Sequence, residues 1–301
     1  MALLVVGSVA FDSVRTPSGY ADEILGGAAT YFSVTASRFA EVKVVAVVGE
    51  DFGERQMRVF TDQAIDIEGI ERAPGKTFRW RGAYEGDMNV AQSLETQLNV
   101  FEQFSPKIPA HYLDCEYVFL ANIDPVLQLH VREQLPRARW VGCDSMNYWI
   151  QGKPDELKRT LATVDVLVVN DGEARMLSGQ QNLKRAAASI REMGPRIVVI
   201  KRGEHGVGLF TDGSDFFVPG YPLEEVRDPT GAGDTFAGGF MGHLARTGDT
   251  SEANLRRAVV YGSVMASFAV EDFGVKRLLE LTQEDIGRRF QEFKHLTHFD
   301  V

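Results

Sequence analysis

Short runs of apolar residues alternate with longer amphipathic segments along most of this 301-residue chain. Within the runs, apolar residues are not interrupted by polar ones, so both faces of each strand are expected to be buried, as in a parallel sheet covered by helices on both sides. Repeated strand–helix units predict an α/β fold with three layers, α/β/α, and a mostly parallel central sheet. The predicted strands of this sheet are Leu3–Val6, Val42–Val48, Val118–Ala121, Trp140–Cys143, Val166–Val169 and Ile197–Ile200.

One glycine-rich segment is typical of a turn that leads into a helix. Gly231 and Gly233 permit backbone angles that other residues resist, and a helical pattern begins near Ala232. The N–H groups and the dipole at the start of such a helix favour an anion, yet the sequence places Asp234 in the first turn. Asp234 is then either a helix cap or a general base beside an anion hole, as transfer of a phosphoryl group to a hydroxyl requires.

Three more glycines follow inside the same predicted helix, at Gly238, Gly239 and Gly242. Glycine in a helix interior costs about 1 kcal/mol relative to alanine. The three glycines therefore indicate that a sheet or a ligand approaches closely, and they favour the interpretation of Asp234 as a base.

The segment Asp228–Met241 resembles, without departure, the second signature of the ribokinase-like (PfkB) family of carbohydrate and nucleoside kinases. The resemblance implies a ribokinase-like fold with a small β lid. It also implies transfer of the γ-phosphoryl group of ATP to an alcohol hydroxyl of a small sugar or polyol. The aspartate at the place of Asp234 takes the hydroxyl proton, and the backbone of Gly231, Ala232 and Gly233 forms the anion hole. A nucleoside kinase is the alternative within the family. A non-catalytic ligand-binding regulator is disfavoured, because a pure sensor needs no base.

The resemblance extends to the acceptor side of the site, near the N-terminus. Asp12 follows the first strand, where the family has an aspartate that binds substrate hydroxyls, and Gly26 and Gly27 resemble a diglycine that contacts the substrate. Tyr31 is a departure, because the family usually has an asparagine at this position. Its ring could stack on a nucleoside base or a flat ring face, or it could belong to the core, and the sequence leaves both interpretations open.

A lid is predicted from two further segments. Residues 76–101 alternate apolar and polar side chains, as expected for a β excursion from the main sheet, whereas 14–25 is polar and is expected to be a loop. In the family, such strands and a piece near 12–20 cover the acceptor, and the lids often pair between subunits. Asn99 is then a candidate for contact with the substrate, and a homodimer through the lid is expected. An ordinary edge hairpin is the alternative for the excursion.

The donor side of the site is represented by two motifs. Asn170 and Glu173 begin a predicted helix directly after a strand, which alone is typical of a capping box. The family has an Asn-x-x-Glu motif at this place that positions Mg²⁺ and the ATP phosphates, largely through water. An indirect role suits an ion that keeps several of its waters. Lys201, Gly203 and Gly206 match a family turn that contacts the nucleotide phosphates.

A monovalent cation is also implied by the resemblance, with K⁺ as the expected ion. Family members often bind it between the segment that matches Asp228 and Thr230 and a loop that corresponds here to 270–274.

Composition excludes several classes of partner. The net charge is −10, so no basic field exists to attract nucleic acid or an anionic membrane. Cys115 and Cys143 have no metal-binding spacing. The first residues are typical of a buried strand and not of a signal peptide, and no apolar run is long enough to span a membrane, so a cytoplasmic protein is expected. Since no linker or repeat interrupts the chain, 1–301 is predicted to be a single kinase domain.

Overall fold

The computed structural model describes residues 1–86 and 88–298, which form two sheets and their covering helices. The strands are β1 (Leu3–Val6), β2 (Ala10–Thr16), β3 (Gly19–Gly26), β4 (Val42–Val48), β5 (Asp66–Arg72), β6 (Phe78–Ala83), β7 (Gln92–Gln97), β8 (Tyr117–Leu120), β9 (Trp140–Asp144), β10 (Val166–Asn170), β11 (Ile197–Lys201), β12 (Val207–Phe210) and β13 (Asp215–Val218). The helices are α1 (Ala28–Ala36), α2 (Glu54–Thr61), α3 (Pro125–Gln134), α4 (Asn147–Gly152), α5 (Pro154–Leu161), α6 (Asp171–Ser178), α7 (Leu183–Arg191), α8 (Ala232–Thr247), α9 (Glu252–Ala269), α10 (Lys276–Glu280) and α11 (Gln283–Thr297).

The larger sheet has the strand order β13-β12-β11-β10-β9-β8-β1-β4-β5. Neighbouring strands are parallel from β11 to β5, and the pairs β11–β12 and β12–β13 at one edge are antiparallel. The carboxyl ends of the parallel strands therefore open on the same side of the sheet, where ligands bind in folds of this class.

Both faces of the larger sheet are buried, which confirms the predicted three layers. Leu3 of β1 lies in a cluster with Phe240 of α8, and Leu4 lies in a second cluster with Val131 of α3. All four side chains are fully buried. A strand with helices on both faces needs apolar residues at every position, which explains the unbroken apolar runs. In residues 1–86 and 88–298, no helix is both long enough and apolar enough to cross a lipid bilayer.

The smaller sheet corresponds to the predicted lid, by which name it is called below, and has the order β3-β2-β6-β7. The prediction of a loop over 14–25 is wrong, because β2 and β3 form an antiparallel hairpin with a bulge between Asp12 and Val14. Much of β3 is exposed, so its side chains are as polar as those of a loop. The last predicted lid strand is also shorter than expected, because β7 ends at Gln97 and Asn99–Gln103 form a 3₁₀ helix.

The structure contains one parallel strand, β5, that the sequence did not predict. Its sequence, Asp-Ile-Glu-Gly-Ile-Glu-Arg, is half exposed at the outer edge of the larger sheet, where it pairs only with β4. An edge strand of this kind lacks the continuous apolar run that identifies the central strands.

Candidate active site

Helix α8 begins at the glycine-rich turn, beside the carboxyl ends of the parallel strands. Gly231 caps the helix with a φ of +72°, a conformation that strains residues with a side chain. The turn is closed by the Ala232 N–H, which donates to the Pro229 carbonyl (3.2 Å), and by the Thr235 N–H, which donates to the Gly231 carbonyl (2.8 Å). Such a helix start presents free N–H groups and a partial positive charge to an anion.

The glycines inside α8 allow two other helices to approach. A β-carbon at Gly238 would lie 2.5 Å from the Phe32 carbonyl oxygen of α1, and one at Gly239 would lie 3.0 Å from the Tyr261 carbonyl oxygen of α9. The close approach expected from the sequence is therefore made by helices, and not by a sheet or a ligand.

Asp234 and Lys201 meet at the start of α8 from different parts of the chain. Lys201 ends β11, and a β-carbon at Gly233 would lie only 2.5 Å from its Nζ atom. Burial by the surrounding protein raises the pKa of Asp234 to about 6, and the Lys201 ammonium opposes this shift. A carboxylate with a pKa close to neutral is suited to accept a proton from a hydroxyl.

Asp144, at the end of β9, is a further carboxyl in this neighbourhood, and its place at a strand end made it a weak candidate from the sequence. Its side chain is buried, and among the described residues its Oδ1 atom has no hydrogen-bond partner. Burial and the nearby Asp234 raise the pKa of Asp144 well above its usual value, and Lys201 opposes the shift. The sequence signal was weak, because most polar residues at strand ends are simply solvated.

Asn170 and Glu173 make both hydrogen bonds of a capping box at the start of α6. The Asn170 Oδ1 atom accepts from the Glu173 N–H, and the Glu173 Oε2 atom accepts from the Asn170 N–H, both at 2.8 Å. The same residues lie at the site, because β10 pairs with β11 so that Asn170 is opposite Lys201. Gly203 and Gly206, both with positive φ, form the turn that follows Lys201.

Asp12 and the diglycine, which the sequence predicts for the acceptor side, lie at the same site. The buried Asp12 carboxyl lies against Gly26, where a β-carbon would overlap it, and Gly27 caps α1. Burial raises the pKa of Asp12 to about 7; the Gly27 N–H lowers it, and the charges of Asp228 and Asp234 raise it. Asp12 and Asp234 therefore act on one another across a single cleft, although they are 222 residues apart in the sequence.

Tyr31 packs into the wall of this cleft. Its ring is 1% exposed and lies against Gly231, and its hydroxyl has no hydrogen-bond partner in the part of the chain that the structure describes. Burial raises the pKa of Tyr31 well above its usual value, and Asp12, Asp228 and Asp234 raise it further. This placement supports the packing interpretation, because neither ring face is open to a base.

Asp228 joins the two loops that the sequence predicts for a monovalent cation. Its buried carboxyl accepts hydrogen bonds from the Thr230 N–H (2.9 Å) and from the Gly274 N–H (3.3 Å). The Val270 carbonyl in turn accepts a hydrogen bond from the Asp228 N–H (3.4 Å). Asp228, Thr230 and the loop at 270–274 are thus neighbours in space.

A family model described as pfkB family carbohydrate kinase matches residues 3–281. The chain belongs to the PfkB family. The cytidine kinase of Thermococcus kodakarensis is 33% identical to it over 251 residues, which are 81% of this chain and 88% of that protein. The nucleoside kinase of Methanothermobacter thermautotrophicus is 26% identical over 95% of this chain and 94% of that protein.

Solved structures of this PfkB kinase's neighbours share its fold. The fructokinase of Vibrio cholerae O395, in a form with fructose, ADP and calcium, has a TM-score of 0.80 at 19% identity and covers 95% of this chain and 98% of its own. The nucleoside kinase of Methanocaldococcus jannaschii has a TM-score of 0.77, also at 19% identity, over 97% of this chain and 98% of its own. The likeness confirms the ribokinase-like α/β/α fold with a smaller second sheet.

Hydrogen bonds hold the lid of this PfkB kinase to the segment that precedes α8. The Thr16 hydroxyl donates to the Arg227 carbonyl (2.7 Å), and the Thr230 hydroxyl donates to the Tyr84 hydroxyl (3.2 Å). Tyr84 is buried and directly follows β6. Sequence analysis did not select Tyr84, and the available signal was its place at the end of the alternating segment.

Asn99 does not lie with the other predicted site residues. Its Nδ2 atom donates to the Thr77 carbonyl (3.0 Å) at the base of the lid, and the Thr77 hydroxyl donates to Asp51 (2.7 Å). Asn99 therefore attaches the start of β6 to the core, and its contact with a substrate stays a prediction.

Proposed function

We propose that this PfkB kinase transfers the γ-phosphoryl group of ATP to an alcohol hydroxyl of a small sugar or polyol. The observation that carries the proposal is the meeting of Asp234 and Lys201 at the start of α8, with Asp12 facing them across the cleft. Membership in a family of carbohydrate kinases supports the choice of acceptor.

In the proposed reaction, Asp12 accepts hydrogen bonds from acceptor hydroxyls and directs one hydroxyl toward Asp234. Asp234 takes its proton while the oxygen bonds to the γ-phosphorus, and the bond from that phosphorus to the bridging oxygen breaks, releasing ADP. The backbone of 231–233 and the Lys201 ammonium stabilise the charge on the transferred group, because donors fixed in advance need not reorganise during the reaction.

Asn170 and Glu173 are proposed to organise Mg²⁺, and Gly203 and Gly206 to contact the nucleotide phosphates. When bound, Mg²⁺ neutralises charge on the phosphates. Within residues 1–86 and 88–298, no three carboxylate, histidine or cysteine side chains converge as a direct metal cage. The residues present fit an ion that is held mainly by phosphate and water, with Glu173 acting through a water.

Potassium is proposed to bind between Asp228, Thr230 and the loop at 270–274. The hydrogen bonds between these two segments support the proposal, because they fix backbone carbonyls of both beside the anion hole. The carbonyl oxygens of such loops are suitable ligands for a weakly hydrated cation.

A nucleoside is the second candidate acceptor. It is favoured by the cytidine kinase relative, whose match extends over most of both chains. The same catalytic residues would serve, since a nucleoside also presents a sugar hydroxyl.

The direct test is ATP consumption with pentoses, hexoses, inositols and nucleosides, each with and without K⁺. Asp234→Asn is expected to keep ATP binding, measured by calorimetry, and to lose roughly 100- to 10,000-fold in kcat. Asp62→Asn, at the exposed end of α2, serves as the matched control. Wild-type turnover in Asp234→Asn would remove the base from the mechanism, and no consumption with any acceptor would revive the ligand-binding regulator.

We also infer that two copies of the chain pair through their lids. Strand β7 is exposed along its whole length at the edge of the lid sheet, and Tyr20, Leu94 and Leu98 are exposed apolar side chains of the lid region.

A cytoplasmic location of the protein stays a prediction.

A further inference from the structure

Alternate residues of the lid strands face the active site. Thr16 on β2 and Tyr84 after β6 make the contacts with the core described above, and Asp12 on β2 lies against Gly26, next to the start of α1. Side chains two residues apart on a strand lie on the same face, so these three residues define the inner face of the lid.

Trp80 lies on this inner face. Strand β2 pairs with β6 in parallel, and Trp80 is the register partner of Asp12. Register partners on neighbouring strands point to the same side of a sheet, and Trp80 also precedes Gly82 of β6 by two residues, on the same face. The indole therefore faces the cleft beside Asp12, the residue proposed to bind the acceptor hydroxyls.

The indole is held in position by two contacts on the same face. It lies over Gly82, where a β-carbon would overlap the six-membered ring, and its Nε1 atom donates to the Ser93 hydroxyl (3.0 Å) on β7. Its surface is neither buried nor fully exposed. A flat ring that is fixed before binding loses little entropy when a ligand stacks on it.

The cations of β6 point away from the cleft. Arg79 pairs with Glu23 and Asp51, both at 2.8 Å, and Arg81 pairs with Glu95 at 3.4 Å. Since both arginines are engaged in ion pairs with these carboxylates, the ligand portion that binds at Trp80 is expected to be flat and uncharged.

We propose that Trp80 is a specificity-determining residue that stacks on the base of a nucleoside acceptor while Asp12 holds the ribose hydroxyls. The inference rests on the proposed phosphoryl transfer and takes its second candidate acceptor, a nucleoside, as the acceptor class. Base–aromatic stacking tolerates different bases because each has a π-face. The Trp80 indole, called the platform below, therefore selects nucleosides over free sugars more strongly than it selects one base over another.

The first test needs no catalysis. Cytidine, uridine, adenosine, ribose and myo-inositol are titrated into the protein without ATP while tryptophan fluorescence is recorded. The nucleosides are expected to quench the signal and the free sugars are not. In Trp80→Phe the quenching should disappear although calorimetry still detects nucleoside binding, because phenylalanine keeps a stacking face.

The second test is kinetic and uses the nucleosides and sugars that the wild-type enzyme phosphorylates. Trp80→Ala should lower kcat/KM for nucleosides roughly 5- to 150-fold, the range expected for one lost base–aromatic stack, and should change kcat/KM for ribose less than 3-fold. Gly82→Ala, which displaces the indole, should have the same selective effect with the tryptophan still present. Arg81→Ala, on the outer face of the same strand, is the matched control and should affect neither class.

Several results would overturn the inference. Equal losses for nucleosides and ribose in both Trp80→Ala and Gly82→Ala would assign Trp80 to lid packing. Quenching that survives in Trp80→Phe would place the base near another tryptophan. If no nucleoside binds, nucleosides are excluded as the acceptor class. Because fluorescence and calorimetry require no phosphoryl transfer, nucleoside binding without ATP consumption would contradict the proposed function while leaving the platform in place.

Discussion

Two carboxyls, the buried Asp12 and the half-buried Asp234, lie on opposite sides of the cleft, and each must be ionised to act as proposed. Burial raises the pKa of Asp12 to about 7 and that of Asp234 to about 6. A catalytic base works best with a pKa near the operating pH, so the burial that makes these charges costly also makes Asp234 a stronger base than a solvated aspartate.

A pH dependence follows from these values. Protonated Asp12 cannot accept hydrogen bonds from the acceptor hydroxyls, and protonated Asp234 cannot take the proton. The kcat/KM for the acceptor is therefore expected to fall as the pH is lowered through about 7 and then about 6, with kcat falling only at the lower of the two. Steady-state kinetics from pH 5 to 8.5 would measure both inflections.

The matched variant for this profile is Asp12→Asn, which should remove the upper inflection and keep the lower one. A profile without any inflection between pH 5 and 8 would show that neither carboxyl titrates as proposed.

At the scale of elements, the lid strand β6 connects the base of the lid to the anion hole. Its start is attached through Thr77, and its end is attached through Tyr84, which accepts a hydrogen bond from the Thr230 hydroxyl. Tyr84→Phe removes the oxygen that accepts this bond. A net loss of about 0.5–1.5 kcal/mol predicts a roughly 2- to 10-fold rise in the acceptor KM, because the closed lid becomes less stable.

The control for the lid variant is Tyr20→Phe, which removes an exposed hydroxyl that bonds to Asp22 within the lid. The acceptor KM, measured by steady-state kinetics on both variants, would distinguish loss of the Tyr84–Thr230 bond from loss of a hydroxyl elsewhere in the lid. An acceptor KM that rises equally in both, or in neither, would show that the Tyr84–Thr230 contact does not stabilise closure.

Helix α6 combines a structural and a proposed catalytic role in one residue, Glu173. Glutamine also serves at this position of a capping box, so Glu173→Gln should keep the bond from the Asn170 N–H and leave the melting temperature unchanged. The loss of charge should raise the Mg²⁺ concentration for half-maximal activity roughly 10- to 100-fold, as for other residues that orient a metal indirectly.

Glu173→Ala is the comparison, because it removes both the cap and the charge. It should lower the melting temperature as well as the apparent Mg²⁺ affinity. An unchanged Mg²⁺ requirement in Glu173→Gln would return Glu173 to the cap alone.

For the whole molecule, the parts predictable from the sequence are those that one local pattern determines. Leu3–Val6 was recognisable because a strand buried on both faces is apolar throughout. The Asn170–Glu173 capping box was recognisable because four consecutive residues form it. The β2–β3 hairpin was missed, because its second strand, β3, is largely exposed and has the polarity of a loop.

Contacts between distant segments could not be predicted in the same way. The pairing of Trp80 with Asp12 depends on the register of β6 against β2. The contact of Tyr84 with Thr230 depends on how the lid sheet lies over the core. The burial of Tyr31 against Gly231 likewise depends on the packing of α1 on α8, which local sequence does not specify.

The last prediction concerns the assembly of whole molecules. Strand β7 leaves one side of its backbone without a strand partner in the described lid sheet, and Leu94 on it is 53% exposed. Pairing between two lids would cover the open backbone edge and the Leu94 side chain, since an open edge strand favours association with a second strand or sheet. The wild-type protein is therefore expected to sediment with twice the 33.4 kDa mass of one chain.

Leu94→Asp should shift the sedimentation equilibrium toward the monomer, because a carboxylate would be buried at the shared surface. Leu296→Asp, at an apolar residue of α11 that is 47% exposed, is the control and should remain dimeric. If the wild-type protein sediments as a monomer at tens of micromolar, the lid edge is not an interface. If both variants stay dimeric, the interface lies elsewhere. If Leu94→Asp alone dissociates and its acceptor KM also rises, the partner stabilises the closed lid, which would connect assembly to catalysis.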